Sequence, residues 1–248
     1  MIRKPFFCAT VIQITVLNLR NFFFLGTFDS WAASITTDKE QLSWFTNAFG
    51  IILLCGGAAA PVTGLVGDTL KQRYRNVCTS EDVVALKALS VTSGLVSILS
   101  VLFSALVCIP GLKIQYFSLT LFAIFRTAIY SNLSIAITTY YPLKHFGTLL
   151  GIAMFVASTI SFVRYPLLSL VLRGFGGNFT QVNILLLALC FLSFIHPVYT
   201  YRLFCHKLSN ENGVREQRVN QTTEGSDNLA FESRTNIDLP NLRNSETS

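Results

Sequence analysis

The stretch FGIILLCGGAAAPVTGLVGDTLKQRYR (Phe49–Arg75) carries no charge as far as Gly67, meets an aspartate at Asp68, and then collects Lys71, Arg73 and Arg75. Its first part is fit for hydrocarbon and its last part for water. An apolar run that ends in a cluster of cations is the pattern of a membrane span reaching its basic, cytoplasmic edge. Gly64 and Gly67 stand three apart, on one face of a helix, where small residues let a neighbouring helix come close. Asp68 then falls at the helix end, able to cap it or to pair with a neighbour's cations. The bland alternative is a generic positive loop with incidental glycines.

The rest of the chain repeats the theme. Of 248 residues, 51% are hydrophobic and only 13% charged, with a mean hydropathy of +0.51. A soluble domain carries about a quarter charged residues, so too little polar surface remains to clothe a globule in water. The chain reads as an all-α integral membrane protein with six transmembrane helices, at about 6–28, 45–67, 88–109, 115–140, 146–172 and 182–204. Residues 1–205 form the membrane part, and 206–248, poor in large apolar residues, read as a disordered cytoplasmic tail. The N-terminus resembles a signal peptide, but Asn18 and Arg20 interrupt it and apolar character resumes through Phe28, which favours an uncleaved first span.

Orientation follows lysine and arginine. Arg3, Lys4, Lys71, Arg73, Arg75, Lys87, Lys144, Arg202 and Lys207 fall on one side, against Lys39, Lys113 and Arg173 on the other. Both termini are therefore expected in the cytoplasm. The sequon at Asn178 lies outside, close to the membrane, and that at Asn220 lies in the tail.

A net charge of +6 sits mainly in segments flanking the spans, without the aromatic interleaving of a single-strand binder, so nucleic acid is not an expected partner. The six cysteines show no C-x-x-C spacing, so neither a metal site nor a disulfide framework is expected. Cys205 reads as a reduced structural thiol or as an acylation site. No cofactor is implied, and no catalytic constellation is visible.

Several motifs occur in order: LGTFDS (Leu25–Ser30), TNAF (Thr46–Phe49), LKQRY (Leu70–Tyr74), YPLKHFGTLLG (Tyr141–Gly151) and HPVYTYR (His196–Arg202). Together they resemble the second half of solute-carrier family 43, of the major facilitator superfamily, over nearly all of residues 1–205. TNAF, LKQRY, HFG and HP…YR look more like its equilibrative nucleobase-transporter branch than its large-neutral-amino-acid branch. Arg20 departs from this, matching the amino-acid branch where the nucleobase branch has an aromatic, and Arg164 matches neither. The resemblance implies half of a twelve-span carrier at the plasma membrane. It would move a small molecule (purine nucleobase or large neutral amino acid) by facilitated diffusion, with a second half-transporter or a homo-oligomer to complete it. A transport-inactive half that associates with full-length carriers is the third reading. The resemblance also makes Gly64, Gly67, Asp68 and Arg73 an inter-helix latch that biases one of two access states.

In such carriers the first and fourth spans line the central path. On the first, Thr10, Gln13, Leu17 and Arg20 recur at helical spacing, so Gln13 and Arg20 are candidate substrate contacts. A guanidinium there could hold a carboxylate bidentately or donate to a nucleobase. A structural pair is the alternative. On the fourth, Thr120, Thr127, Ser131, Ser134 and Thr138 form a hydroxyl stripe flanked by Arg126 and Tyr130. Arg126, Tyr130, Ser131 and Ser134 are the candidates for binding a flat heterocycle by hydrogen bonds and stacking. The same small residues would equally suit helix packing. His196 precedes Pro197 and is expected to satisfy carbonyls that the proline frees. No acidic residue falls within the expected spans, which argues against proton coupling in this segment.

Overall fold

The computed structural model describes residues 3–36, 38–58, 60–75, 80–109, 111–211 and 213. Among them every regular element is helical: α1 (Arg3–Ile35), α2 (Lys39–Ala58), α3 (Ala60–Arg75), α4 (Glu81–Val107), α5 (Leu112–Tyr140), α6 (Phe146–Ser161), α7 (Arg164–Ser169), α8 (Thr180–Leu192) and α9 (195–211). Two compact units divide the chain, Met1–Leu203 and Phe204–Ser248. The described part of the second, 204–211 and 213, is helical, and the rest of the expected tail lies outside the described residues.

Five helical stretches among the described residues are long and apolar enough to cross a membrane: Pro5–Ile35, Glu81–Val107, Ile114–Tyr140, Leu143–Gly174 and Thr180–Glu211. They match five of the six expected spans, each reaching somewhat further than its apolar run. A multi-pass membrane protein is the result. The second expected span, 45–67, falls on two helices, α2 and α3, on either side of residue 59, and neither is among the five. Because the helices outrun their greasy segments, Asp29 lies inside α1, and Asp68, expected at a helix end, lies inside α3; both are exposed.

Side-chain caps start α2 and α8. Asp38 Oδ1 accepts from the Glu40 amide at 3.0 Å at the start of α2, and Asn178 Oδ1 from the Thr180 amide at 2.9 Å at the start of α8. Gly176 and Gly177, at φ +59° and +86°, turn the chain just before that second cap. Prolines interrupt two spans. Pro166 and Pro197 cannot donate, and each ring crowds the carbonyl four residues earlier. The helix tightens ahead of each: the Phe162 and Val163 amides reach back three residues, to Thr159 O and Ile160 O, and those of Ser193 and Phe194 to Cys190 O and Phe191 O.

In the first unit α1 is central, packed on α5, α6 and α8, while α4 packs on α3, α5 and α8, and α2 on α5. With lipid as apolar as leucine, close packing and polar contacts hold such helices together, not exclusion of water. Aromatic rings supply much of the packing. Phe24 meets Phe103 edge-on at 5.0 Å and Phe122 at 4.8 Å, and Phe28 stacks on Phe49 at 3.9 Å, joining α1, α2, α4 and α5. The span over α6 and α7 differs: 17% of its apolar window is buried against 61% for α1, so most of its surface is left to lipid or to another protein.

Candidate functional site

A polar seam runs through this apolar bundle. Thr10, Gln13, Leu17 and Arg20 share one face of α1, and each is between 1% and 3% exposed. They look inward, onto α4 and the last span. Opposite them α4 presents Ser90, Ser93, Ser97, Ser100 and Ser104, all buried, spaced alternately three and four apart so that they stack on one helical face.

Gln13 is the hub. Its Nε2 donates to Ser97 Oγ at 3.3 Å and to Ser93 O at 3.4 Å, and its Oε1 accepts from Asn132 Nδ2 of α5 at 3.2 Å. Ser93 Oγ closes the ring by donating to Asn132 Oδ1 at 3.0 Å. Ser97 Oγ in turn donates to Ser193 O at 3.2 Å, the carbonyl displaced by Pro197, and Ser90 Oγ donates to Pro197 O at 3.1 Å. The carbonyl freed by the proline is thus satisfied by α4, not by His196. His196 instead sets Nε2 3.1 Å from Thr10 Oγ1. Since Thr10 gives its proton to Phe6 O at 2.9 Å, the imidazole is the donor of that pair.

Arg20 lies further along the same face. Its Nε donates to Ser104 Oγ at 2.9 Å and its guanidinium sits over Phe103, 4.7 Å from the ring centre, and over Phe24 at 5.8 Å. Both terminal nitrogens are buried without a hydrogen-bond acceptor, and no carboxylate bridges to Arg20 among the described residues. A buried cation held by one hydroxyl and two ring faces keeps two nitrogens, with four N–H donors, uncommitted. The Asn18 amide, fully buried two residues earlier, has no hydrogen-bond partner either.

On α5 the expected set divides. Tyr130 lies beside Asn21 of α1, within the field of Arg126 one turn earlier, and both Arg126 and Tyr130 are half-buried. This places a phenol, an amide and a guanidinium together where α5 meets α1. Ser131 lies instead on a groove between α3, α4 and α5. Hydroxyls of the stripe bond within their own helix: Thr120 to Tyr116 O at 3.2 Å, Ser134 to Tyr130 O at 3.1 Å and Thr138 to Ser134 O at 2.9 Å. Their protons are spent locally, and their lone pairs remain. Arg164, on α7, joins Phe22, Ser158 and Ser161 around a cavity of about 180 Å³.

The expected latch residues also part company. A Cβ on Gly67 would come within 2.9 Å of Ile135 Cδ1, so this glycine does admit α5 closely, whereas Gly64 has nothing within 4 Å. Asp68 and Arg73 are exposed, and the ion pair between α3 and α4 is made by Arg75 with Glu81 at 2.7 Å. Lys87 adds a contact over the Tyr74 ring at 4.4 Å. The serine face of α4 and the asparagines Asn18, Asn21 and Asn132 escaped the sequence reading. Their signal was present as a three-four spacing of serines inside an apolar run, masked by the habit of reading serine as helix-packing filler. No group of three metal-ligating side chains occurs among the described residues.

No protein-family profile matches the chain, and no solved structure matches it. Characterised proteins do match, two transporters among them. The bovine (Bos taurus) equilibrative nucleobase transporter 1 is 30% identical over 204 residues, covering 80% of this chain and 42% of that protein. The mouse (Mus musculus) large neutral amino acids transporter small subunit 3 is 23% identical over 268 residues, covering 89% of this chain and 46% of that protein. The chain spans somewhat under half the length of these relatives. Apolar helices and relatives together make it a multi-pass membrane protein similar to small-molecule transporters.

Proposed function

We propose that this chain is a six-helix half of a carrier of solute-carrier family 43, with the major facilitator fold, in which α2 and α3 together make the second span. It moves purine nucleobases down their gradient, without a coupled ion, at the plasma membrane, with both termini in the cytoplasm. The observation that carries this reading is the 30% identity to a nucleobase transporter across four-fifths of the chain. The pairing of α1 with α5 supports it, because Asn21, Tyr130 and Arg126 offer an amide, a phenol and a guanidinium to a flat heterocycle. Gln13, Arg20, Ser131 and Ser134 are the further candidate contacts. Gly64, Gly67, Asp68 and Arg73 form the proposed latch. Substrate binds between this half and a second one.

One observation favours a second substrate. The two acceptor-free nitrogens of Arg20 match a carboxylate better than they match a neutral base, which points to large neutral amino acids. A third reading, a transport-inactive half that associates with full-length carriers, draws on the chain's share of its relatives' length. Uptake into cells expressing the chain separates the three. Labelled adenine entering while leucine is ignored supports the first, and the reverse supports the second. No uptake of either, despite surface expression and co-purification with a full-length carrier, supports the third and sinks the first.

A further inference from the structure

The groove that holds Ser131 touches the polar seam only at Asn132 and otherwise lies outside it. It has a volume of about 290 Å³, and Val66 of α3, Leu95 and Ile98 of α4, and Ile124, Ala128 and Ile135 of α5 line it with almost nothing but carbon. Val66, Leu95, Ile98 and Ile124 are each between 39% and 46% exposed, so the groove opens on the outer surface of the bundle. In a multi-pass membrane protein that surface at span depth meets lipid, and an apolar furrow there is filled by acyl chain.

One end of this furrow is charged, with Lys71, Arg73, Arg75 and Lys87 outnumbering Asp68, Glu81 and Asp82. Arg73 stands seven residues after Val66 on α3, two helical turns along and on the same face, about 10 Å further toward the helix end. Lys71 lies between them, and Lys87 of α4 packs over Tyr74 at the same end of the α3–α4 pair. Arg75 there is engaged by Glu81 across an exposed contact, leaving Arg73 as the outward cation of the helix tip. Carbon along the furrow and ammonium and guanidinium groups at its end are the two halves of one complementary ligand.

We propose that the α3–α4–α5 furrow is a binding site for a glycerophospholipid with an anionic headgroup, one acyl chain lying along Leu95, Ile98 and Ile135 and the phosphate held by Arg73 and Lys87. Each cation near the surface favours an anionic over a zwitterionic headgroup by about fivefold. The site needs only membrane embedding and is independent of which solute, if any, the chain carries. By bridging α3 to α4 and α5, a bound lipid also holds the segment that contains Gly67, whose close approach to Ile135 sits beside the furrow.

Native mass spectrometry of the full chain, released from detergent micelles doped with equal phosphatidylserine and phosphatidylcholine, tests this. The expected result is one retained lipid per chain, mostly phosphatidylserine. Leu95→Trp, which fills the furrow, removes it. Arg73→Gln with Lys87→Gln keeps a lipid but loses the preference for serine headgroups. Ile195→Trp, exposed on α9, changes nothing and controls for an added indole. Should Leu95→Trp not fold, Ile98→Trp serves in its place. Equal retention of the two lipids by the unmodified chain overturns the proposal, as does retention that survives both furrow-filling variants.

Discussion

Ser97 and Ser100 sit one turn apart on the same face of α4, both wholly buried, yet their hydroxyls have opposite fates. Ser97 Oγ bonds the carbonyl displaced by Pro197 and receives the Gln13 amide, while Ser100 Oγ has no partner. Removing the first strands two groups in a low-dielectric core, and removing the second strands none. Ser97→Ala is expected to cost about 1 kcal/mol of stability in detergent, near the average for a buried polar contact between membrane helices. Ser100→Ala is expected to be neutral or slightly stabilising. Paired thermal melts of the purified variants read the difference, and equal melting points would contradict the hydrogen-bond assignment. Arg20 invites a different comparison. Because its two terminal nitrogens lack acceptors, an apolar side chain of similar length relieves an uncompensated charge. Arg20→Met should therefore melt no lower than the parent while transport changes; a large loss of stability would mark the guanidinium as a structural pair instead of a ligand contact.

Between elements, close approach is concentrated at particular glycines. A Cβ on Gly56 of α2 would lie 2.9 Å from the Ala123 Cβ of α5 and 3.5 Å from its Cα, atoms that cannot step aside. At Gly67 the 2.9 Å neighbour is the tip of Ile135, a flexible end that can rotate, and at Gly64 there is no neighbour. The order of destabilisation is expected to be Gly56→Ala first, at about 1–3 kcal/mol of overpacking, then Gly67→Ala, with Gly64→Ala last. The same melts rank them, and a Gly64 variant as harmful as the Gly56 variant would show that α3 packs otherwise. This is also where sequence and structure diverge most usefully. Spacing alone puts Gly64 and Gly67 on one face, but cannot say which of them meets a neighbour, since that depends on how α3 crosses α5. The same gap explains the acids. Hydropathy marks where a chain enters lipid, whereas helix length is set by backbone hydrogen bonds and caps, so Asp29 and Asp68 fell inside helices that outlast their apolar runs. What could be read was the set of apolar stretches behind five spans and the shared face of Thr10, Gln13 and Arg20, because each depends on local composition or on a single helical period. Partners of that face on α4 and α9 needed the tertiary arrangement.

Across the whole molecule, polarity and shape point to one use of the bundle. The interior surfaces of these helices could have been filled with leucine, yet α1, α4, α5 and the last span meet through serines, amides, a histidine and an arginine. Such groups are costly in lipid and are kept where a path for polar solutes or a two-state rearrangement requires them. The weakly buried α6–α7 span leaves a broad apolar side, the kind of surface the proposed half-carrier would turn to lipid or to its second half. Flux through reconstituted protein tests this account most directly. The purified chain, alone and co-reconstituted with the complementary six-helix half of the nucleobase relative, is sealed into liposomes loaded with unlabelled adenine, and entry of labelled adenine is followed with and without a pH gradient. Exchange above that of empty vesicles, indifferent to the pH gradient and abolished by Arg126→Ala, is the predicted result. Exchange no faster than in empty vesicles, both alone and with the complementary half present, would contradict it.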